Sequence, residues 1–390
     1  MDPETAGQRI ARARRRRGLS QAVLAGLIGR SESWLSQVER GKRRADSHAV
    51  LTRLADVLRV DVEELTGASG ADGPVYEAAP LIEQAMMRPG AYHEAQAPAT
   101  LTHLREMAHA AYRDYQATRY DAVGRVLPRL IHDAEAAGNC DPEACRVRAI
   151  VYDAAAALLN RVGEPVLAWM AADRAMSAAT QSGDPIMIAV SAWRMSYVIT
   201  GRKHPAEALE LAMTAIASLE HSTRSSSPEQ LSVYGALHLA AATAAAAAFD
   251  RATTAALLAK ARGVAAETGD ANYLGTAFGQ ANVAIHSIAA ALQFGDARLA
   301  AETGEALDLS ALPAGCTGRR TQLHLDLARA YAMRRQDAAS VNLLLAAEKL
   351  SPQLVRYDTR TREVLAVLLR REHRPSTPEL LPLARRAGVI

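Results

Sequence analysis

Apolar residues recur at three- and four-residue spacing along almost the whole chain, and strand-like alternation is nearly absent. Near the N-terminus this spacing comes in short pieces. Val23, Leu24, Leu27 and Ile28 share one helical piece, with Ser20 placed to cap it and Gly29 to end it. Ser31 can cap the next piece, which turns Leu35 and Val38 inward and stops at Gly41. Ala25, small and midway along the first of these helices, lets the second cross closely. Further helices are expected over Gly7 to Arg17, Ser47 to Leu58 and Val62 to Leu65.

A break follows. Thr66 to Pro74 carries three glycines, a serine and a proline, the composition of a flexible linker, and only a short helix (Pro80 to Met87) precedes Arg88-Pro89-Gly90 and Ala97-Pro98. From about Thr100 the chain becomes a series of long alanine- and leucine-rich amphipathic helices. Turn-plus-helix starts recur at Asp121, Glu164, Pro205, Asp250, Asp296 and Asp337, which are 41 to 46 residues apart. A period in that range, filled by two antiparallel helices, is that of an α-solenoid, here of six units. The expected architecture is therefore all-α, with a five-helix domain at 1–67, a linker with a short helix at 68–100, and an α-solenoid of helix pairs at 101–390.

Composition narrows the class. The chain has 390 residues, 49% hydrophobic and 22% charged, as befits globular domains. No apolar run is long enough for a bilayer and no signal-peptide pattern opens the chain, so a cytoplasmic protein with no membrane partner is expected. Cys140, Cys145 and Cys316 are odd in number, and no histidine pair completes a tetrad with the first two; they read as ordinary thiols, with no metal or other cofactor. The net charge of +3 hides an asymmetry: residues 1–67 hold 13 Lys/Arg against 9 Asp/Glu. Positive charge gathers where the two short helices lie, as contact with phosphates requires.

Two short helices joined by a glycine turn form the pattern of a DNA-binding helix-turn-helix. The segments Leu19 to Ala25, Trp34 to Ala45 and Leu54 to Leu65 resemble the lambda-repressor-like, or Xre, family over residues 6 to 67. That resemblance implies double-stranded DNA as partner and places Gln21 against the phosphate backbone. Arg14, Arg15, Arg16 and Arg17, with Arg40, Lys42, Arg43 and Arg44 after the second motif helix, are candidate phosphate contacts; such runs also occur as merely solvated faces. By register Glu32, Ser33, Ser36 and Gln37 face the major groove, where Gln37 suits adenine and Glu32 a cytosine amine. Trp34 either packs on the sugar-phosphate edge or fills an apolar seam.

In the repeats, the first helix of each unit lines the concave face. Polar or aromatic residues interrupting those helices are Tyr152, Asn160, Trp193, Arg194, Tyr197, His238, Asn282, His286, Asp326 and Arg329. They suit an extended peptide or a small molecule, although an aromatic pair at helical spacing also suits a plain core. The small residues at helix crossings resemble tetratricopeptide repeats in a longer form. No catalytic motif is present, so an enzyme is not expected. The two modules together resemble bacterial peptide-sensing quorum regulators. This implies a homodimeric transcription regulator on an inverted-repeat operator whose repeats bind a signalling peptide or small molecule. The alternative is an interaction scaffold whose repeats bind a partner protein. The Ala/Gly/Arg-rich composition suggests an actinobacterium.

Overall fold

The computed structural model describes residues 5–43, 45, 48–60, 65, 74–87, 100–137, 141–222, 227–371 and 377–390. Arg44, Cys140, most of the expected fifth helix and the glycine-rich linker lie outside them. The chain divides into two compact units, Met1–Gly73 and Pro74–Ile390.

The first unit contains α1 (Ala6–Arg16), α2 (Gln21–Leu27), α3 (Glu32–Glu39) and α4 (His48–Leu58). Each of the first three has its own start signal. Thr5 and Gln8 form a capping box, and the Ser20 and Ser31 side chains accept from the backbone N–H of Val23 and Trp34. Ile10, Leu24, Leu35, Val38, Leu54, Leu58 and Leu65 fill the core. Of the four apolar positions on α2, only Leu24 and Ile28 are buried; Val23 and Leu27 are 51% and 49% exposed. Adjacent helical residues point about 100° apart, so one narrow crossing covers a single stripe of a short helix. Gly7 permits the closest approach. A Cβ there would stand 2.1 Å from the Val38 carbonyl oxygen, so α1 crosses α3 with no side chain between.

The second unit contains α5 (Ala79–Met87), α6 (Leu101–Gln116), α7 (Tyr120–Ala136), α8 (Pro142–Val162), α9 (Pro165–Ser182), α10 (Pro185–Gly201) and α11 (Pro205–Ser222). It continues with α12 (Pro228–Ala247), α13 (Arg251–Thr268), α14 (Gln280–Gln293), α15 (Ala297–Glu305), α16 (Thr317–Met333), α17 (Asp337–Leu350), α18 (Pro352–Tyr357), α19 (Thr359–Leu369) and α20 (Leu380–Arg386). No strand occurs among the described residues. From α6 to α17, helices pack on their sequence neighbours and on the next helix but one, the pattern of an α-solenoid. The recurring acidic and proline positions now have a physical meaning. Asp250 and Asp296 cap the second helix of a hairpin, and Pro165 and Pro205 open one. Each hairpin turns through one left-handed residue: Thr118, Gly163, Lys203, Phe249, Gly295 and Arg335. Four of these six are not glycine, so glycine alone marks only two of the turns.

The structure departs from the sequence expectation at one element. The short helix placed in the linker belongs to the repeat unit: Tyr76, Ala79, Ile82 and Met86 are buried with Leu104, Val123 and Leu127 in its largest core. Their three- and four-residue spacing gives α5 an apolar stripe that must be covered, and α7 covers it. The solenoid also folds back on its beginning. The Tyr76 and Tyr357 rings meet edge to face at 5.5 Å, Gln353 exchanges hydrogen bonds with Asp121, and α6 touches α16. First helices of separate repeats are thereby brought to one interior.

Candidate nucleic-acid interface and effector cluster

Helix α3 has two chemically distinct faces. Leu35 and Val38 point into the core, while Glu32, Ser33 and Arg40 are exposed and Ser36 and Gln37 half-buried. The Gln37 side-chain amide makes no hydrogen bond among the described residues, so both its donor and its acceptor are free for a base edge. Its backbone carbonyl receives the N–H groups of Lys42 and Arg43, which folds the basic turn back against the helix end. Arg40, Lys42 and Arg43 are exposed there. Arg30, just ahead of α3, adds a cation that periodicity did not single out. Its guanidinium stands 5.6 Å from the Trp34 ring centroid, and Trp34 packs half-buried on the core edge. Of the two roles open to Trp34, the apolar seam is the one its packing occupies.

The four arginines of 14–17 do not act alike. Arg14 is tied to Glu39 by two hydrogen bonds, 2.6 and 2.9 Å, and to the Leu19 carbonyl at 2.7 Å. Gln21 donates to the same carboxylate at 2.6 Å. Burial pushes the Glu39 carboxyl up, but the Arg14 and Gln21 hydrogen bonds outweigh it and hold the group below its ordinary range. Arg14, expected as a phosphate contact, is thus a half-buried structural cation; Gln21, expected at the backbone of DNA, has its amide nitrogen engaged. One element each of α1, α2 and α3 meets at Glu39, which sequence reading passed over as part of the turn. Arg17 Nη1 donates to the Val57 carbonyl at 3.1 Å, a second tie inside the domain. Arg15 and Arg16 remain exposed.

In the repeat unit, the ten candidates fall into separate places. Trp193, Arg194, Tyr197 and His286 come together across α10 and α14. Trp193 and Tyr197 meet edge to face at 6.1 Å, and Tyr197 lies 6.2 Å from the His286 ring. His286 Nδ1 is 3.3 Å from Thr243 Oγ1 and its Nε2 is 3.5 Å from the Tyr197 hydroxyl. Thr243 already donates to the Leu239 carbonyl, so His286 donates through Nδ1 and accepts at Nε2. Burial, reinforced by Arg319, pushes this imidazole down to about 3, so it stays neutral. Asn282, one turn earlier on α14, is buried with its Oδ1 unmet.

Tyr152 lies elsewhere. Its hydroxyl donates to Glu135 and receives Arg174, a packed network between α7, α8 and α9. His238 is stacked edge to face on Tyr234 at 4.7 Å, and burial pushes its imidazole below its ordinary value. Asn160 abuts Gly201. Asp326 and Arg329 stand near Arg360 of α19; burial raises the Asp326 carboxyl to about 6 and lowers the Arg329 guanidinium.

Four further residues complete the interior. Tyr112 and Tyr115 of α6 flank Arg194, and Arg161 of α8 and Arg319 of α16 also act on Tyr115. Arg194 donates to the Tyr112 hydroxyl and lies 4.4 Å over Trp193, 5.3 Å from Tyr112 and 6.0 Å from Tyr115. Tyr112 and Gln116 also clamp the turn before α14, donating to the Gly275 carbonyl at 3.1 and 2.9 Å. The tyrosines sit three apart on α6, a signal that periodicity offers; Arg161 and Arg319 lie at helix ends and carry none.

Among the described residues no helix is long and apolar enough to cross a membrane, and no group of three His, Cys, Asp or Glu side chains is placed to hold a metal ion. Residues 5–66 match a family described as "Helix-turn-helix domain". The first unit is thus a helix-turn-helix domain, followed by a unit of paired helices. No curated protein matches the chain. Among solved structures, the chain is similar to Bacillus thuringiensis PlcR, whose crystal structure is of a complex with the peptide PapR7 and DNA. The identity is 12% and the TM-score 0.38, over 86% of this chain and 99% of that one. A likeness so distant leaves the reading of this protein to its own residues.

Proposed function

We propose that this helix-turn-helix protein is a transcription regulator of the Xre type, which reads an inverted-repeat operator as a homodimer in the cytoplasm and carries an effector site in its tetratricopeptide-like unit. The single observation that supports DNA reading most is the outward face of α3. An unsatisfied Gln37 amide lies beside exposed Glu32 and Ser33 and half-buried Ser36, flanked by Arg30, Arg40, Lys42 and Arg43. Such a face combines base-edge readers with phosphate cations at the two ends of one short helix. A single recognition helix covers only a half-site, so pairing two copies supplies the specificity a genome requires.

The effector reading is supported by the interior cluster. Polar and aromatic side chains from α6, α8, α10, α14 and α16 converge there, whereas a purely structural solenoid is served by the alanine packing seen elsewhere. A peptide or small molecule held by several first helices would shift the repeats against one another and so alter the spacing of paired recognition helices.

The experiment is to crosslink the protein to DNA in its own cells and sequence the bound fragments. A short inverted repeat upstream of genes is the expected result. Broad binding without a motif would overturn sequence-specific reading and favour an interaction scaffold, whose partner would then be sought on the repeats.

A further inference from the structure

We propose that the interior of the repeat unit binds a carboxylate, held by Arg161, Arg194 and Arg319 among the rings of Tyr112, Tyr115, Trp193 and Tyr197; this deepens, and rests on, the reading of that unit as the sensor. Three guanidinium groups arrive from three first helices, α8, α10 and α16. Arg161 Nη1 reaches Gln322 Oε1 at 3.4 Å, and Arg319 lies one turn before Gln322 on the same face of α16. Arg194 is only 7% exposed, and its Nε makes no hydrogen bond.

None of the three forms an ion pair with a carboxylate among the described residues. Three other arginines that are partly withdrawn from water do have carboxylate partners: Arg14 with Glu39, Arg146 with Asp184, Arg371 with Asp337. Arg194 is buried and Arg161 and Arg319 are half-buried; charges drawn out of water without a counterion oppose folding, so the cluster is costly unless an anion completes it. The carboxylates nearby do not serve. Asp153 faces Arg194 from outside ion-pair distance, accepts from Ser191 at 2.9 Å, and is raised by burial to about 7. Asp358 faces Arg161 but is spent capping α19, accepting from Thr361 N at 2.8 Å.

The tyrosines register the resulting field. Burial raises a phenol, yet Tyr115 is drawn below its ordinary value because Arg161, Arg194 and Arg319 together outweigh that burial. His286 is held neutral with both ring nitrogens engaged by Thr243 and Tyr197, so it packs beside the cluster without adding charge. The planar guanidinium fork matches a carboxylate in two-point contact, and the rings on either side suit an aromatic or apolar body attached to it. The same chemistry is offered by a free organic acid and by the C-terminus of a peptide.

The test is calorimetric titration of the full chain with four kinds of probe: benzoate and benzamide, and a mixed tetrapeptide library as free acids and as C-terminal amides. Inorganic phosphate serves as the competing anion. The expected result is binding of an acid at least about tenfold tighter than its amide. Preference for benzoate assigns a free organic acid, and preference for the peptide acids assigns a peptide terminus. Arg161→Met and Arg319→Met should each lose that preference. Both variants should also unfold at an equal or higher temperature without ligand, whereas structural cations would leave them less stable.

Equal binding of acids and amides, no binding of any acid, phosphate binding tighter than either acid, or an acid preference kept in both variants would each overturn the assignment. DNA affinity measured with and without saturating acid separates the two readings. Acid binding that leaves DNA affinity unchanged sinks the sensor and spares the site.

Discussion

Replacing Glu39 by alanine should disable the helix-turn-helix domain without touching its DNA-facing side chains. Glu39 is 8% exposed and receives Arg14 through two hydrogen bonds and Gln21 through a third. Arg14 also donates to Leu19, so the carboxylate fixes α1, the following turn, α2 and the end of α3 together. Removing it leaves a guanidinium 12% exposed beside an apolar core. Breaking one side of such a buried pair costs about 3–5 kcal/mol, most of it the penalty of the charge left behind. That is a large share of a small domain's stability. Amide hydrogen exchange of the full chain, read by mass spectrometry, separates this domain from the repeats. Amides of α1 to α3 should exchange at least about a hundredfold faster, with α8 and α12 unchanged. The double variant Arg14→Met with Glu39→Leu removes both charges and should cost less than Glu39→Ala alone. If the single variant lost under about 1 kcal/mol, or if the two substitutions simply added, the buried pair would not be what holds these helices.

Gln37→Ala should weaken binding to the selected operator by about 1–3 kcal/mol and relax one base position per half-site; equal loss on scrambled DNA, read by fluorescence anisotropy, would deny the base-reading role. Asp153→Asn tests the buried carboxyl. Its folded pKa of about 7 stands above the ordinary 3.8, so the fold favours the neutral form. The contribution of this group to stability is therefore most favourable below about 4, falls as pH rises through 4 to 7, and its penalty is complete above that. The asparagine variant should gain about 2–3 kcal/mol more over wild type at pH 8 than at pH 5 in urea unfolding; a gain independent of pH would contradict the assignment. Gly235→Ala places a Cβ 2.0 Å from the Phe278 ring, itself buried, and should lower stability by about 1–3 kcal/mol despite the better helix former; an unchanged melting temperature would mean the ring yields freely.

The sequence by itself determined which segments are helical and where they begin, because caps and N-terminal prolines act on the backbone within one turn. Ser20 and Ser31 cap α2 and α3, and the acidic and proline positions start the second helix of each repeat. The outward register of Ser33, Ser36 and Gln37 was legible for the same reason: once Leu35 and Val38 must be inside, the period of the helix fixes what lies opposite.

What a helix meets is not a local property. Four consecutive arginines are alike in sequence, and only the crossing of α1 over α3 buries Arg14 on Glu39 while leaving Arg15 and Arg16 outside. On α8 and α12, residues on every face are buried, so apolar periodicity cannot tell an inner face from an outer one; Tyr152 looked like a groove residue and is core. The interior cluster depends on the solenoid folding back, which sets Tyr112 of the first repeat against Gly275, well over a hundred residues away. Chain packing decided that meeting, and with it which arginines stand together without a counterion.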